Sequence, residues 1–233
     1  AASSATRAPL PDSPNLRRSV RYDAHTVDIS RHEQFRDGFV AVNPNARIPA
    51  AVDDAGPGGA PIRLWESAAI MLYLAEKHGS ALLPADARRR QEVLHWLFFQ
   101  MANQGPIAGQ FAHFYMRCPL DKVETRDYGV DRYGTMVMYA CDVLDKQLDG
   151  REYLVGDGLT LADLACYPWF EWMRTVMKEP GKGTTVADFM RTARWKHLNA
   201  WADRIKARPA VQRGMTVNGF GGKPPKPWLV EQR

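Results

Sequence analysis

Residues 43–79 read NPNARIPAAVDDAGPGGAPIRLWESAAIMLYLAEKHG, and this stretch decides the fold. An extended segment, 47–54, opens at Pro49, a residue tolerated at the start or edge of a strand but not in its middle. AGPGGAP, 55–61, has the Gly/Pro density of a tight turn. IRLWE, 62–66, then reads as the partner strand of a hairpin. SAAIMLYLAEKHG, 67–79, is an amphipathic helix ended by Gly79, a usual residue just past a helix C-terminus. A hairpin that feeds directly into a helix is the end of a small α/β unit.

Upstream, RYDAHTVDI (21–29) alternates around Tyr22, Ala24 and Thr26 and fits a strand. EQFRDGFVAVNP (33–44) reads as a short helix closing at Asn43-Pro44. Residues 1–20 are rich in Ala, Ser, Pro and Arg and show no apolar alternation, as in an irregular arm. Downstream of the linker the pattern is helical throughout. ARRRQEVLHWLFFQMANQ forms one long helix with Val93, Leu94, Leu97, Phe98 and Met101 on its apolar side. A second spans 128–150 and stops at Gly150. A third, TLADLACYPWFEWMRTV, starts from a capping box in which Thr160 caps the Asp163 amide and Asp163 reaches back. One or two more helices occupy 186–208, before Pro209. The expected organisation is an arm over 1–20, an α/β domain over 21–83, a linker over 84–90, an all-helical domain over 91–213 and an irregular tail over 214–233. An α/β series followed only by helices is a specific architectural signature.

The composition, 45% hydrophobic and 24% charged over 233 residues, is that of an ordinary globular chain. No apolar run is long enough to span a membrane. The first twenty residues contain no apolar signal core, so no secretory leader is expected. The formal charge is +5, but the excess lies at the ends. Four basic residues face Asp12 within 1–21, and seven face Glu231 within 204–233. Neither nucleic acid nor membrane is therefore an expected partner. Cys118, Cys141 and Cys166 are too widely spaced for a zinc site or a CxxC pair, and point to reduced thiols in a cytoplasmic compartment. Cys141 and Cys166 are expected in the core, and Cys118, before Pro119, at an exposed break. The six histidines show no HxH or HxxxH spacing, so no metal is expected.

Three motifs, RIP at a strand start, ES between strand and helix, and GDGLTLADL before a helix, resemble in order and spacing the cytosolic glutathione transferase family. The resemblance covers roughly residues 21–213. VLHWLFFQMANQGPIAGQFAHF (93–114) is similar to the bacterial Nu class, which includes glutathione-dependent disulfide reductases. It implies an α/β plus all-α protein, with a thioredoxin-like N-terminal domain and an all-helical C-terminal domain, in a cytoplasmic homodimer. It implies glutathione as co-substrate and a disulfide or electrophile as the second substrate, with no metal.

Residue by residue, the resemblance places the backbone of Ile48, before a cis Pro49, against the cysteinyl unit of glutathione. Glu66 and Ser67 would hold its γ-glutamyl end, Ser67 at a helix N-terminus that attracts a carboxylate and Glu66 as partner of the ammonium. Gln34, with Arg47 nearby, would meet the glycyl carboxylate. Gln100 would line the cleft, and Arg132 would reach across the dimer interface. Phe111, His113, Phe114, Tyr115 and Trp169 either wall an apolar co-substrate or fill the core.

The front departs from the family pattern. Nu-class chains carry Thr-Pro-Asn at the end of a first strand, followed by a full helix. Here Ser13-Pro14-Asn15 stands in that place, and only nine residue steps separate Ser13 from Tyr22. The domain is therefore expected to be truncated at its first strand and helix. Ser13 and Asn15 would be the catalytic pair, a hydroxyl and an amide N–H donating to the glutathione thiolate and so favouring its charged form. Two functional classes remain open on the sequence: an enzyme of glutathione-dependent thiol/disulfide chemistry (reductase, peroxidase or transferase), and a non-catalytic glutathione-binding or dimerisation protein.

Overall fold

A computed structural model describes residues 20–119, 121–175, 185–217 and 226–227. In chain order the elements are β1 (His25–Thr26), α1 (Asp37–Val40), β2 (Ala50–Asp53), β3 (Ile62–Trp65) and α2 (Ser67–Lys77). Then come α3 (Ala87–Phe99), a π-helical turn (Gln100–Gln104), α4 (Gly105–Met116), α5 (Val123–Gln147) and α6 (Leu161–Thr175). The chain closes with α7 (Val186–Met190), α8 (Lys196–Lys206), α9 (Pro209–Met215) and β4 (Lys226–Pro227).

The hairpin forms as its sequence dictates. β2 and β3 pair antiparallel from Ala50 opposite Trp65 to Asp53 opposite Ile62. The turn between them holds Gly58 and Gly59 at φ 71° and 78°, a conformation open to glycine at no steric cost. One carboxylate ties this hairpin to α2. Asp53 accepts from Tyr73 Oη at 2.6 Å and from Lys77 Nζ, and Lys77 also reaches the Ala55 carbonyl at 2.7 Å. The Lys77 hydrogen bond, then that of Tyr73, hold the Asp53 carboxyl down at about 2.

The core lies in the helical part. Phe111, Leu144, Leu154, Phe170, Leu198 and Trp201 are fully buried there. α5 lies close on α4 because Gly129 leaves room for Phe114: a Cβ at 129 would come within 2.3 Å of the Phe114 ring. Phe114 in turn stacks on Tyr133, ring centroids 5.6 Å apart. Asp163, fully buried at the start of α6, is the main polar node. It accepts from the amides of Leu154 and Thr160, the Thr160 hydroxyl and Trp201 Nε1, all at 2.8–2.9 Å. Burial pushes its carboxyl above the usual carboxylate range, while these donors pull the other way. Of the expected capping box, the backward reach of Asp163 forms; the Thr160 hydroxyl donates to that carboxylate. A second buried carboxylate, Glu171, binds Arg174 at 2.7 Å and Lys206 at 2.8 Å, joining α6 to α8.

Several local expectations need correction. The strand over 21–29 shrinks to His25–Thr26, which pairs in parallel with Lys226–Pro227 and with neither β2 nor β3. Its alternation offers little apolar surface to bury, and Tyr22 is 70% exposed. The single helix over 33–44 is instead a 3₁₀ turn, Glu33–Phe35, and the one-turn α1, with another 3₁₀ turn, Ile29–Arg31, just ahead of it. Asp28 caps the Ser30 amide and His32 turns left-handed at φ 61°, which breaks the segment into short turns. Of the segment 214–233, the described residues are 214–217, where α9 ends at Met215, and the two residues of β4; the rest of the expected irregular tail lies outside the described residues. Cys118, expected at an exposed break, is buried together with Cys141 and Cys166; burial pushes the Cys141 and Cys166 thiols up. Of the two readings left open for the aromatics, Phe111 and Tyr115 take the core one, stacked 5.3 Å apart; His113 is exposed.

Asp163→Asn puts an NH₂ where only donors converge, and is expected to lower unfolding free energy by about 3 kcal/mol, read from urea unfolding. The folded-state value of Asp53 lies below its ordinary 3.8, so its tie is complete above the unfolded value and is lost as pH falls toward about 2. Asp53→Asn should therefore flatten the loss of stability over that window, measured by melts across the acid range.

Candidate functional site

The open end of the β2–β3 hairpin gathers the groups that the sequence singles out. β2 takes up its pairing only at Ala50, so the N–H and C=O of Ile48 lie outside the ladder. The Ile48–Pro49 bond is cis. The loop ahead of it is held by Asn43, 2% exposed, whose Nδ2 donates to the Arg47 carbonyl at 2.6 Å and whose Oδ1 accepts from the Asn45 amide at 2.9 Å. Ala46, at φ 51°, completes the tight turn.

On the other strand, Glu66 joins β3 to α2 at φ 67°, ψ 118°. A non-glycine residue there costs on the order of 1–3 kcal/mol and persists only where its surroundings demand it. It is demanded here because the chain must leave the strand and enter a helix within one residue. The turn leaves Glu66 exposed, one step before the free amides of α2, whose first turn holds no acidic side chain. Ser67, half-buried, places its Oγ 3.9 Å from Met101 Sδ in the π-helical turn.

The arrangement has a definite chemistry. A helix N-terminus with a serine hydroxyl suits a carboxylate. A carboxylate one residue earlier suits an ammonium. Together they fit the free α-amino acid end of a ligand. The unladdered backbone at Ile48 suits the rest of that ligand as an added strand, the mode of peptide recognition by sheet augmentation.

The remaining expected residues are placed as follows. Gln34 lies in the Glu33–Phe35 turn, its Oε1 buried with no hydrogen-bond partner among the described residues. Arg47 is exposed beside Ile48. Gln100 is 5% exposed and opens the π-helical turn, next to Met101. Arg132 is exposed on α5. No hydrogen bond or ion pair of the described residues links Gln34, Gln100 or Arg132 to the hairpin end. Ser13 and Asn15 fall outside the described residues. A groove of about 660 Å³ at the far end of α2, bordered by Gly79, Arg89 and Gly156, shares no residue with the site.

Sequence reasoning missed Asn43 and Met101. The NPN before RIP hints at a side-chain-held turn. Nothing in the helical period points to Met101 as a neighbour of Ser67, because the π turn shifts the register there.

Comparison with known proteins accords with this geometry. The model of the glutathione S-transferase N-terminal domain matches residues 17–77, and that of the C-terminal domain matches 112–209. The chain is 40% identical over 203 residues to the disulfide-bond oxidoreductase YghU of Escherichia coli, covering 87% of this chain and 66% of that one. It is 36% identical over 197 residues to the disulfide-bond oxidoreductase YfcG of the same organism, covering 84% and 83%. Among solved structures, it resembles a glutathione transferase YghU from Streptococcus pneumoniae complexed with glutathione, at TM-score 0.76, 36% identity and coverage of 88% and 74%. It likewise resembles a Pseudomonas putida glutathione transferase with glutathione disulfide bound, at TM-score 0.75, 32% identity and coverage of 86% and 82%. With a small thioredoxin-like unit ahead of a helical domain and relatives matched along most of its length, the chain belongs to the glutathione S-transferase family.

Proposed function

We propose that this protein is a glutathione-dependent enzyme of thiol/disulfide chemistry, acting as disulfide reductase, peroxidase or transferase. The observation that carries the reading is the hairpin end, where a cis-proline backbone, a carboxylate and a serine at a helix N-terminus converge. Glutathione fits it in one orientation. Its γ-glutamyl carboxylate meets Ser67 and the first amides of α2, its ammonium meets Glu66, and its cysteinyl backbone pairs with Ile48. Relatives with glutathione or its disulfide bound support the same ligand.

The chemistry then needs a thiolate. Glutathione's thiol, with a free pKa of about 8.5, reacts only once deprotonated. Ser13 Oγ–H and the Asn15 amide are the donors this reading assigns to the thiolate. The thiolate attacks one sulfur of a disulfide, its partner leaves as thiolate, and a second glutathione resolves the mixed disulfide as glutathione disulfide. No protein cysteine takes part, and all three are buried. Gln34 and Arg47 serve the glycyl end.

A second reading, binding without turnover, draws on one observation: among the described residues no strand joins β2 and β3 in their sheet. For assembly, Tyr128, Arg132, Met136 and Tyr139 line one exposed face of α5 at helical spacing, a surface that suits a homodimer. The reduced, buried thiols suit the cytoplasm. No described helix is long and apolar enough to cross a membrane.

Calorimetric titration with reduced and oxidised glutathione should show micromolar to millimolar binding, weakened about tenfold by Ser67→Ala, the loss of one hydrogen bond to a charged group. Ser13→Ala with Asn15→Ala should abolish disulfide reduction while leaving binding; if turnover is unaffected, the catalytic assignment fails. Glu66→Gly should separate stability from binding. It relieves the positive φ, so melting is unchanged or higher, yet it removes the ammonium's partner and weakens glutathione at least tenfold. A Glu66→Gly variant that binds normally would contradict the assignment.

A further inference from the structure

Ser67 has a neighbour from the other half of the molecule. Its hydroxyl donates to the thioether of Met101 across 3.9 Å, although the two are 34 residues apart. Met101 is the second residue of the π-helical turn Gln100–Gln104, in which the Gly105 amide bonds to the Gln100 carbonyl five residues back. Such a turn inserts one extra residue between α3 and α4 and rotates α4 relative to α3, and π-turns are frequent at functional sites.

The turn is locked from beneath. Gln104 Nε2 donates to the Cys166 carbonyl of α6 at 3.1 Å. Gly105 has no space for a side chain: a Cβ there would stand 2.6 Å from Gln100 Nε2 and 3.3 Å from Trp169 Cζ2. A buried scaffold thus fixes where the Met101 thioether points.

The chemistry of the pair is unequal. A serine has one O–H to give. A thioether accepts it weakly, whereas a carboxylate accepts it strongly because the bond is charge-assisted. We propose that Met101 is a positioning residue for the anion-binding hydroxyl of Ser67, a soft acceptor that holds the O–H in place and yields it to the ligand's carboxylate. The inference rests on the glutathione reading of this site and deepens it. The helical domain, through one side chain, sets the acceptor that glutathione must displace. A stronger acceptor at position 101 would keep the hydroxyl and weaken binding.

The test is a calorimetric titration of reduced glutathione into the full chain and its variants, with melting temperatures as the folding control. Met101→Gln, similar in length but a strong acceptor, should weaken binding about tenfold, the factor that accompanies one competing hydrogen bond. Met101→Leu, which removes the acceptor that holds the hydroxyl, should weaken binding by less, about threefold. In a Ser67→Ala background the Gln and Leu variants should bind alike. Hydrogen peroxide gives a second route should the Gln variant not fold. Each peroxide transfers one oxygen to a thioether and leaves as water, giving the sulfoxide, a polar acceptor. After peroxide is removed, the oxidised parent should bind more weakly than before, while the equally treated Met101→Leu variant should not change. A folded Met101→Gln variant that binds like the parent, a penalty that survives in the Ser67→Ala background, or equal peroxide effects on parent and Met101→Leu would each overturn the inference. A parent that binds no glutathione would remove the underlying reading as well; a binding parent with a flat series removes the inference alone.

Discussion

The fully buried carboxylate of Asp163 is the constraint on which the helical half depends. A charge without partners in that position would be untenable, and the structure surrounds it with donors from the loop before α6, from the cap residue and from Trp201 of α8. Those bonds fix where α6 begins. The Leu161 amide, bonded to the Leu82 carbonyl at 2.9 Å, fixes where the linker runs. From α6 a contiguous path of contacts leads to the candidate site. The Cys166 carbonyl holds Gln104, Gln104 belongs to the π turn, and the turn carries Met101 to Ser67. The path is one of physical contact, through which placement is transmitted.

The thioredoxin-like half is built on different terms. Its strands are short and only half-buried, and apart from Phe39, Val42, Ala68 and Ala75 few of its apolar side chains are buried. Asp53, Tyr73 and Lys77 do there what apolar packing does in the helical half. Local opening free energies follow buried contact density, so this half should open first. The strained backbone at Glu66 sits at the candidate site, where a glycine would be relaxed but could offer no carboxylate.

Much of this was legible in the sequence for identifiable reasons. The hairpin and α2 were readable because Pro49, the Gly/Pro turn and Gly79 punctuate them, and each marks a backbone state few other residues tolerate. The long helices were readable from their apolar period and from Thr160–Asp163. The front was not, because a strand of two residues and consecutive 3₁₀ turns leave no period to count. The parallel pairing of His25–Thr26 with Lys226–Pro227 joins segments some two hundred residues apart, and no local pattern encodes it. Glu66 and Ser67 could be named from motif and helix position. Asn43 was visible only as a turn residue, and Met101 only as an apolar helix residue, since a π turn is set by tertiary packing around Gly105 and Gln104.

Glutathione is received, on this reading, at the end of the hairpin and the start of α2. An amide-resolved NMR titration with reduced glutathione examines that directly. The resonances of Ile48 and Ser67 should shift together and saturate at one common concentration. Saturable shifts confined to the groove around Gly79, Arg89 and Gly156, or no saturable shift at Ile48 and Ser67, would contradict it.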